Sequence, residues 1–209
     1  MALDVEGYQL FPAAFGNVSE VLEEVKLQTN KEGRVIFNKN EENKRNDFKR
    51  IQCNLTFSNA ALKRAAEHVE RKVFDAFPER KLKFRSWVGL LSKKGCRQQH
   101  WHTDYDCDAL ATMPDESVPF SVLLALQDQT FLDVIPKSIR LSEPLQQPTK
   151  LQLNPGDVVV FRGDLVHAGS AYPNEENYRI HAYVDPVNFK RKRNATYLIK
   201  NVTQALSKQ

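Results

Sequence analysis

The chain has 209 residues, 41% hydrophobic and 27% charged, ordinary for a soluble globular protein and enough for one domain, 1–209, with its own core. A net charge of +4 and a pI near 8.9 permit an anionic ligand without requiring one. Cys53, Cys96 and Cys107 show no metal-type pairing, and neither a secretory signal nor a bilayer-length apolar run is visible, so reduced thiols and a cytoplasmic location are expected.

Residues 7–12 read as a short edge strand stopped by Pro12. Val18, Val21, Leu22 and Val25 recur at helical spacing over 18–28, with Asn17 or Ser19 as the cap. Residues 38–50 are polar and aperiodic, which predicts a solvated loop. A longer amphipathic helix follows over 59–77, with Leu62, Ala65, Ala66, Val69, Val73 and Phe74 as its stripe, Ser58 or Asn59 as its cap and Pro78 as its stop. From Lys83 the pattern turns to strands: 84–91, the segment around His102, 120–126, 131–135, 151–153, 158–161, 165–167 and 178–185. Residues 197–206 read as a last short helix. Helices first and many short strands after them predict an α+β protein built on a β-sandwich or barrel.

The densest chemistry lies in Gln98-Gln99-His100-Trp101-His102-Thr103-Asp104. On an extended segment His100, His102 and Asp104 point to the same face, and His102 with Asp104 can grip one ion. One further His from a distant strand completes two imidazoles and a carboxylate on one side of a metal, the open facial arrangement of non-haem Fe(II) oxygenases. Among His68, His100, His167 and His181, the context favours His167: a tight turn at Arg162-Gly163-Asp164 is expected to return the chain antiparallel, with small Ala168 and Gly169 beyond it. His68 stands alone on its helix and reads as structural. In 178–185, Ile180, Ala182 and Val184 suit a hydrophobic core, while Arg179, His181, Tyr183 and Asp185 form a polar face. A polar face turned inward must serve a polar cavity, because lone buried charges are costly. Arg179, returned towards the metal by a hairpin, suits a bidentate grip on a carboxylate.

These residues resemble the Fe(II)/2-oxoglutarate-dependent dioxygenases of the double-stranded β-helix (jelly-roll) type, and most of all their phytanoyl-CoA dioxygenase-related branch. The carriers are His102-Thr103-Asp104, the run from Pro155-Gly156-Asp157 to Asp164-Leu165-Val166-His167-Ala168-Gly169, and Arg179. Residues 7–12 echo the family's opening strand. Val134-Ile135-Pro136-Lys137-Ser138 echoes its Pro-Gly-Ser-His turn, although Lys137 and Ile139 replace the Gly and the His. The resemblance implies a jelly-roll barrel with the N-terminal helices packed on one sheet. It implies Fe(II) held by His102, Asp104 and His167, 2-oxoglutarate paired with Arg179, and O2 as oxidant. A small-molecule substrate would be hydroxylated or oxidatively demethylated, with release of succinate and CO2. Asp104 argues against the halogenating relatives, in which a halide takes the carboxylate's place.

Three other readings compete. His100 with His102 resembles the start of a cupin metal site, but no Glu follows at the cupin spacing, so His100 reads as a supporting residue. The basic clusters Lys44-Arg45, Lys49-Arg50, Arg80-Lys81-Leu82-Lys83 and Lys190-Arg191-Lys192-Arg193 could serve an AlkB-like nucleic-acid demethylase. No base-stacking aromatic cluster accompanies them. A jelly-roll module with a purely structural metal would have no use for Arg179.

Overall fold

The computed structural model describes residues 2–36, 48–141, 145–191, 196–199 and 202. Its elements, in chain order, are α1 (Ala2–Glu6), β1 (Tyr8–Phe11), α2 (Ser19–Glu32), β2 (Arg34–Val35), β3 (Arg50–Asn54), α3 (Ala60–Ala76), β4 (Leu82–Ser92), β5 (His102–Thr103) and α4 (Cys107–Ala111). They continue with β6 (Phe120–Ala125), β7 (Thr130–Val134), β8 (Thr149–Leu153), β9 (Val158–Arg162), β10 (His167–Gly169), β11 (Asn177–Pro186) and β12 (Tyr197–Leu198). Among the described residues the strands form a seven-stranded sheet, β1-β9-β6-β11-β4-β3-β2, and a five-stranded sheet, β12-β5-β10-β7-β8. All named pairings are antiparallel.

The strand sequences explain the layering. On β6, Val122 and Leu124 join one apolar cluster while Leu123 and Ala125 join another, and on β9 Val158 and Val160 divide in the same way from Val159 and Phe161. Both faces of these strands are covered, so their sequences run apolar without alternation. The outer cluster lies beneath α2 and α3, through Val21, Val25, Leu62, Ala65, Val69 and Val73. The inner cluster, with Leu132, Val134, Leu151 and Leu153 from β7 and β8, joins the two sheets. The helices therefore pack on the larger sheet, as the resemblance implies.

Asn59 caps α3 as expected, accepting from the backbone N–H groups of Ala61 (2.8 Å) and Leu62 (3.2 Å). At α2 the expectation fails: Val18 occupies the cap and no side chain bonds the first turn. Residues 162–164 do turn, but they do not fold β10 back onto β9. Strand β9 belongs to the seven-stranded sheet and β10 to the five-stranded one, so the turn carries the chain across the sandwich. The same crossing separates β10 from β11, which replaces the expected hairpin. Most of the 38–50 loop lies outside the described residues, and at its end Arg50 opens strand β3, fully buried. The expected helix at 197–206 begins instead as strand β12, which pairs Tyr197 with Thr103 and Leu198 with His102. Its remainder lies almost wholly outside the described residues. Among the described residues, no helix is long and apolar enough to cross a membrane.

Candidate metal centre

Strand pairing brings the first two candidate ligands together. In the β5–β10 ladder His167 stands opposite His102, and their ring centroids are 4.4 Å apart. Asp104 follows two residues later, where the Tyr105 N–H donates to the Gly163 carbonyl (3.1 Å) and ties this loop to the turn before His167. Gly163 has to be glycine, since a Cβ there would run into the Tyr105 ring. The same turn is braced by fully buried Arg162, whose guanidinium holds Asp164 (2.9 Å) and Asp115 (2.9 Å). Ser138 completes the support, its Oγ accepting from the Val166 N–H (3.0 Å). Lys137, at the place of the family's Gly, adopts φ +60°, so the degraded Pro-Gly-Ser-His motif keeps its turn.

His102, Asp104 and His167 are all buried, and one ligand atom from each lies within 4.8 Å of the others. The His102 Nδ1 sits 2.7 Å from the His100 carbonyl and the His167 Nδ1 2.9 Å from the Leu165 carbonyl. A carbonyl only accepts, so each Nδ1 carries the proton and each lone pair is on Nε2. The His167 Nε2 lies 3.8 Å from Asp104 Oδ1. Burial pulls the His102 imidazole down to about 3, helped by His167 at its side, and burial likewise lowers His167. Burial works to raise the Asp104 carboxyl, but His167, His181 and His102 together hold it well below the usual carboxylate range. Two neutral imidazoles and an ionised carboxylate are the protonation states that a divalent cation requires.

Arg179 lies on the inner face of β11, only 4% exposed, with small Ala125 opposite it on β6. Its guanidinium donates to Ser92 Oγ (3.0 Å), and burial lowers its pKa. Among the described residues no carboxylate pairs with it. Ser92 Oγ also accepts from Arg50 (2.8 Å). Arg50 reaches further, to the carbonyls of Arg97 (2.7 Å), Gly169 (3.0 Å) and Ser170 (2.7 Å), and so ties β3 and β4 to the strand that carries His167. Towards the other end of β11, Tyr105 donates from its hydroxyl to Asp185 (2.6 Å), and Arg191 lies over the Tyr183 ring (3.9 Å).

The expected polar face of β11 is therefore turned inward, with His181 donating from Nε2 to Asp104 Oδ2 (3.2 Å). His100 does not share a face with His102. The chain from 97 to 101 is not a strand, alternation lapses, and the exposed His100 contributes only its carbonyl. His68 lies on α3, edge-on to Phe15 (5.8 Å), away from the candidate ligands. Trp87 stacks on Phe84, and Trp101 packs against the cluster of Ile135 and Val166. Asp157 serves its own turn, accepting from Ala13 N–H (2.7 Å) and Asn154 N–H (2.8 Å). Sequence reasoning missed Arg50, Ser92 and Ser121. Ser121 had a signal, a lone hydroxyl inside the apolar run Phe120–Ala125. Arg50 had none, because it ends a polar stretch.

No family model and no curated protein matches the chain. Solved structures do. The epimerase SnoN, crystallised with Fe3+, alpha ketoglutarate and nogalamycin RO, superposes with a TM-score of 0.67 at 15% identity, over 98% of this chain and 86% of its own. HygX from Streptomyces hygroscopicus, with nickel and 2-oxoglutarate bound, gives 0.67 at 15% identity over 91% of this chain and 87% of its own. A Pseudomonas putida prolyl-4-hydroxylase gives 0.62 at 13% identity over 88% of this chain and 95% of its own. At such identities the likeness is one of fold, and it establishes the double-stranded β-helix.

Proposed function

We propose that the chain is an Fe(II)- and 2-oxoglutarate-dependent oxygenase of the phytanoyl-CoA dioxygenase-related branch, working as one domain. It would hydroxylate or oxidatively demethylate a small molecule, in a cytoplasmic setting. One observation carries the reading: a buried His-Asp-His cluster and a buried arginine, with no acidic partner among the described residues, share one polar interior. An isolated buried guanidinium is costly, so a site that keeps one is built for an anion. Arg179 lies one pleat along β11 from His181, about 7 Å at strand rise, and His181 touches Asp104.

In this reading His102 and His167, through Nε2, and Asp104 hold Fe(II), and Arg179 with the Ser92 hydroxyl grips the far carboxylate of 2-oxoglutarate. The bound iron and cosubstrate supply the oxidising chemistry, with O2 consumed and succinate and CO2 released. The protein's share is placement. The Nδ1–carbonyl bonds fix both imidazole orientations, the Arg162–Asp164 pair holds the approach to His167, and the closed sandwich keeps water out. SnoN, with Fe3+ and alpha ketoglutarate, and HygX, with nickel and 2-oxoglutarate, share the fold and bind a metal ion and the cosubstrate of this reading. The nucleic-acid alternative is weakened by its own residues. Arg50 is wholly buried, Arg80 is bonded to Asp4 (2.8 Å), and Arg191 packs on Tyr183, so these members of the basic clusters are spent inside the protein.

The test is anaerobic binding of 2-oxoglutarate to the Fe(II)-loaded protein, then succinate release on admitting air, for wild type and Arg179→Ala. The wild type is expected to bind and to release succinate. Arg179→Ala should lose about 2–5 kcal/mol of cosubstrate affinity, roughly thirtyfold or more in Kd. A wild type that binds Fe(II) and not 2-oxoglutarate overturns the reading in favour of a structural metal site.

A further inference from the structure

Among the described residues, the hydrogen bonds to the Asp104 carboxylate fall on one oxygen. Ser121 Oγ and His181 Nε2 (3.2 Å) both hydrogen-bond to Oδ2, while Oδ1 is the oxygen near His167 Nε2 (3.8 Å). An ionised carboxylate only accepts, so the serine presents its O–H and the imidazole its Nε2–H. Each carboxylate oxygen offers about two lone-pair sites, and those of Oδ2 are taken. Both donors sit on the inner face of the seven-stranded sheet: Ser121 on β6, and His181 on the adjacent β11, where it pairs in register with Leu123. The carboxylate reaches them from the loop that follows β5 of the opposite sheet. His181 lies outside the candidate ligand cluster of His102, Asp104 and His167.

We propose that Ser121 and His181 are positioning residues that pin Asp104 to one-oxygen coordination. The inference rests on the reading of the site as an Fe(II)/2-oxoglutarate centre and adds a reason for two residues outside the candidate ligand cluster. Two imidazoles and one carboxylate oxygen cover one face of an octahedral ion and leave the opposite face open. A chelating 2-oxo acid and O2 together need that whole face. A carboxylate free to rotate can close on the ion with both oxygens and take the place left for O2. With Oδ2 fastened across the sandwich, that rotation is blocked and the face stays open.

The experiment uses the Fe(II)-loaded full chain with 2-oxoglutarate under anaerobic conditions and nitric oxide as a stand-in for O2, read by electron paramagnetic resonance. Fe(II) affinity is measured in parallel by calorimetry and folding by circular dichroism. Wild type should give the signal of a nitrosyl complex. Ser121→Ala combined with His181→Phe should still bind Fe(II) and 2-oxoglutarate, with nitric oxide affinity reduced about tenfold or more, the scale of effects seen for residues behind metal ligands. Ser121→Thr, which keeps the hydroxyl, should behave as wild type. If the double variant misfolds, Ser121→Ala alone against Ser121→Thr decides, with the loss expected in Ala and absent in Thr. A folded Ala or double variant that binds nitric oxide as well as wild type overturns the proposal. A wild type that binds no Fe(II) or no 2-oxoglutarate overturns the reading of the site itself, and the pinning role with it.

Discussion

The two faces of β11 are built from alternate residues of one strand and could hardly differ more. Tyr178, Ile180, Ala182 and Val184 look outward into the apolar layer under α2 and α3. Arg179, His181, Tyr183 and Asp185 look inward, where they meet Ser92, Asp104, Arg191 and Tyr105. The outer face stabilises by excluding water, and the inner face gathers polar groups whose burial opposes folding unless each finds a partner. The difference teaches that this strand carries stability and chemistry on separate sides. Damage to one is then expected to leave the other largely intact.

Substitutions can break or sharpen that division. The largest effect is expected from Asp104→Ala, which removes a candidate ligand outright. Fe(II) affinity by calorimetry should fall by more than the roughly 10–100-fold typical of residues behind a ligand, with the circular dichroism spectrum retained. On the outer face, Ile180→Ala should cost about 2–5 kcal/mol of stability in urea titration, while Fe(II) and 2-oxoglutarate affinities stay within about twofold of wild type if the two faces of the strand act independently. A large loss of binding there would mean that the two sides are coupled. Asn59→Ala, which removes the cap of the covering helix α3, should cost about 1 kcal/mol and nothing in binding. Smallest in stability is Arg179→Ala. It deletes a buried charge without an acidic partner among the described residues, so the urea midpoint should hold or rise even as cosubstrate binding is lost. A clear fall in the midpoint would make Arg179 a structural residue and end the contrast.

The division also explains what could be read from the sequence. The β11 alternation, the α3 stripe with its Asn59 cap, and the apolar runs of β6 and β9 are periodic patterns over several residues, so they survive without knowledge of the neighbours. The His102, Asp104 and His167 cluster could be picked out because metal chemistry restricts the residue types. What was not legible depends on distant chain. Two-residue β5 has no pattern of its own, and the His100 parity argument failed because the segment before it is irregular. Arg50 looks like a surface charge until Ser92, Arg97, Gly169 and Ser170 close around it. Gly156 is instructive in the opposite sense: its φ of +89° and the Phe15 carbonyl beneath it leave room for no side chain, and only the turn sequence hinted at this.

The pairing of β5 has a consequence for the order of events during synthesis. Both neighbours of His102 in its sheet, β10 and β12, come from later in the chain, and β12 is the last strand described. As the polypeptide leaves the ribosome, the helical layer and β4 are available early, whereas the strand bearing His102 waits for Tyr197 and Leu198 before its edges are covered. The scaffold can therefore begin to form before the candidate ligands are brought together. A nascent chain stalled short of Tyr197 would carry all three candidate ligands and still present the His102 strand with a bare edge.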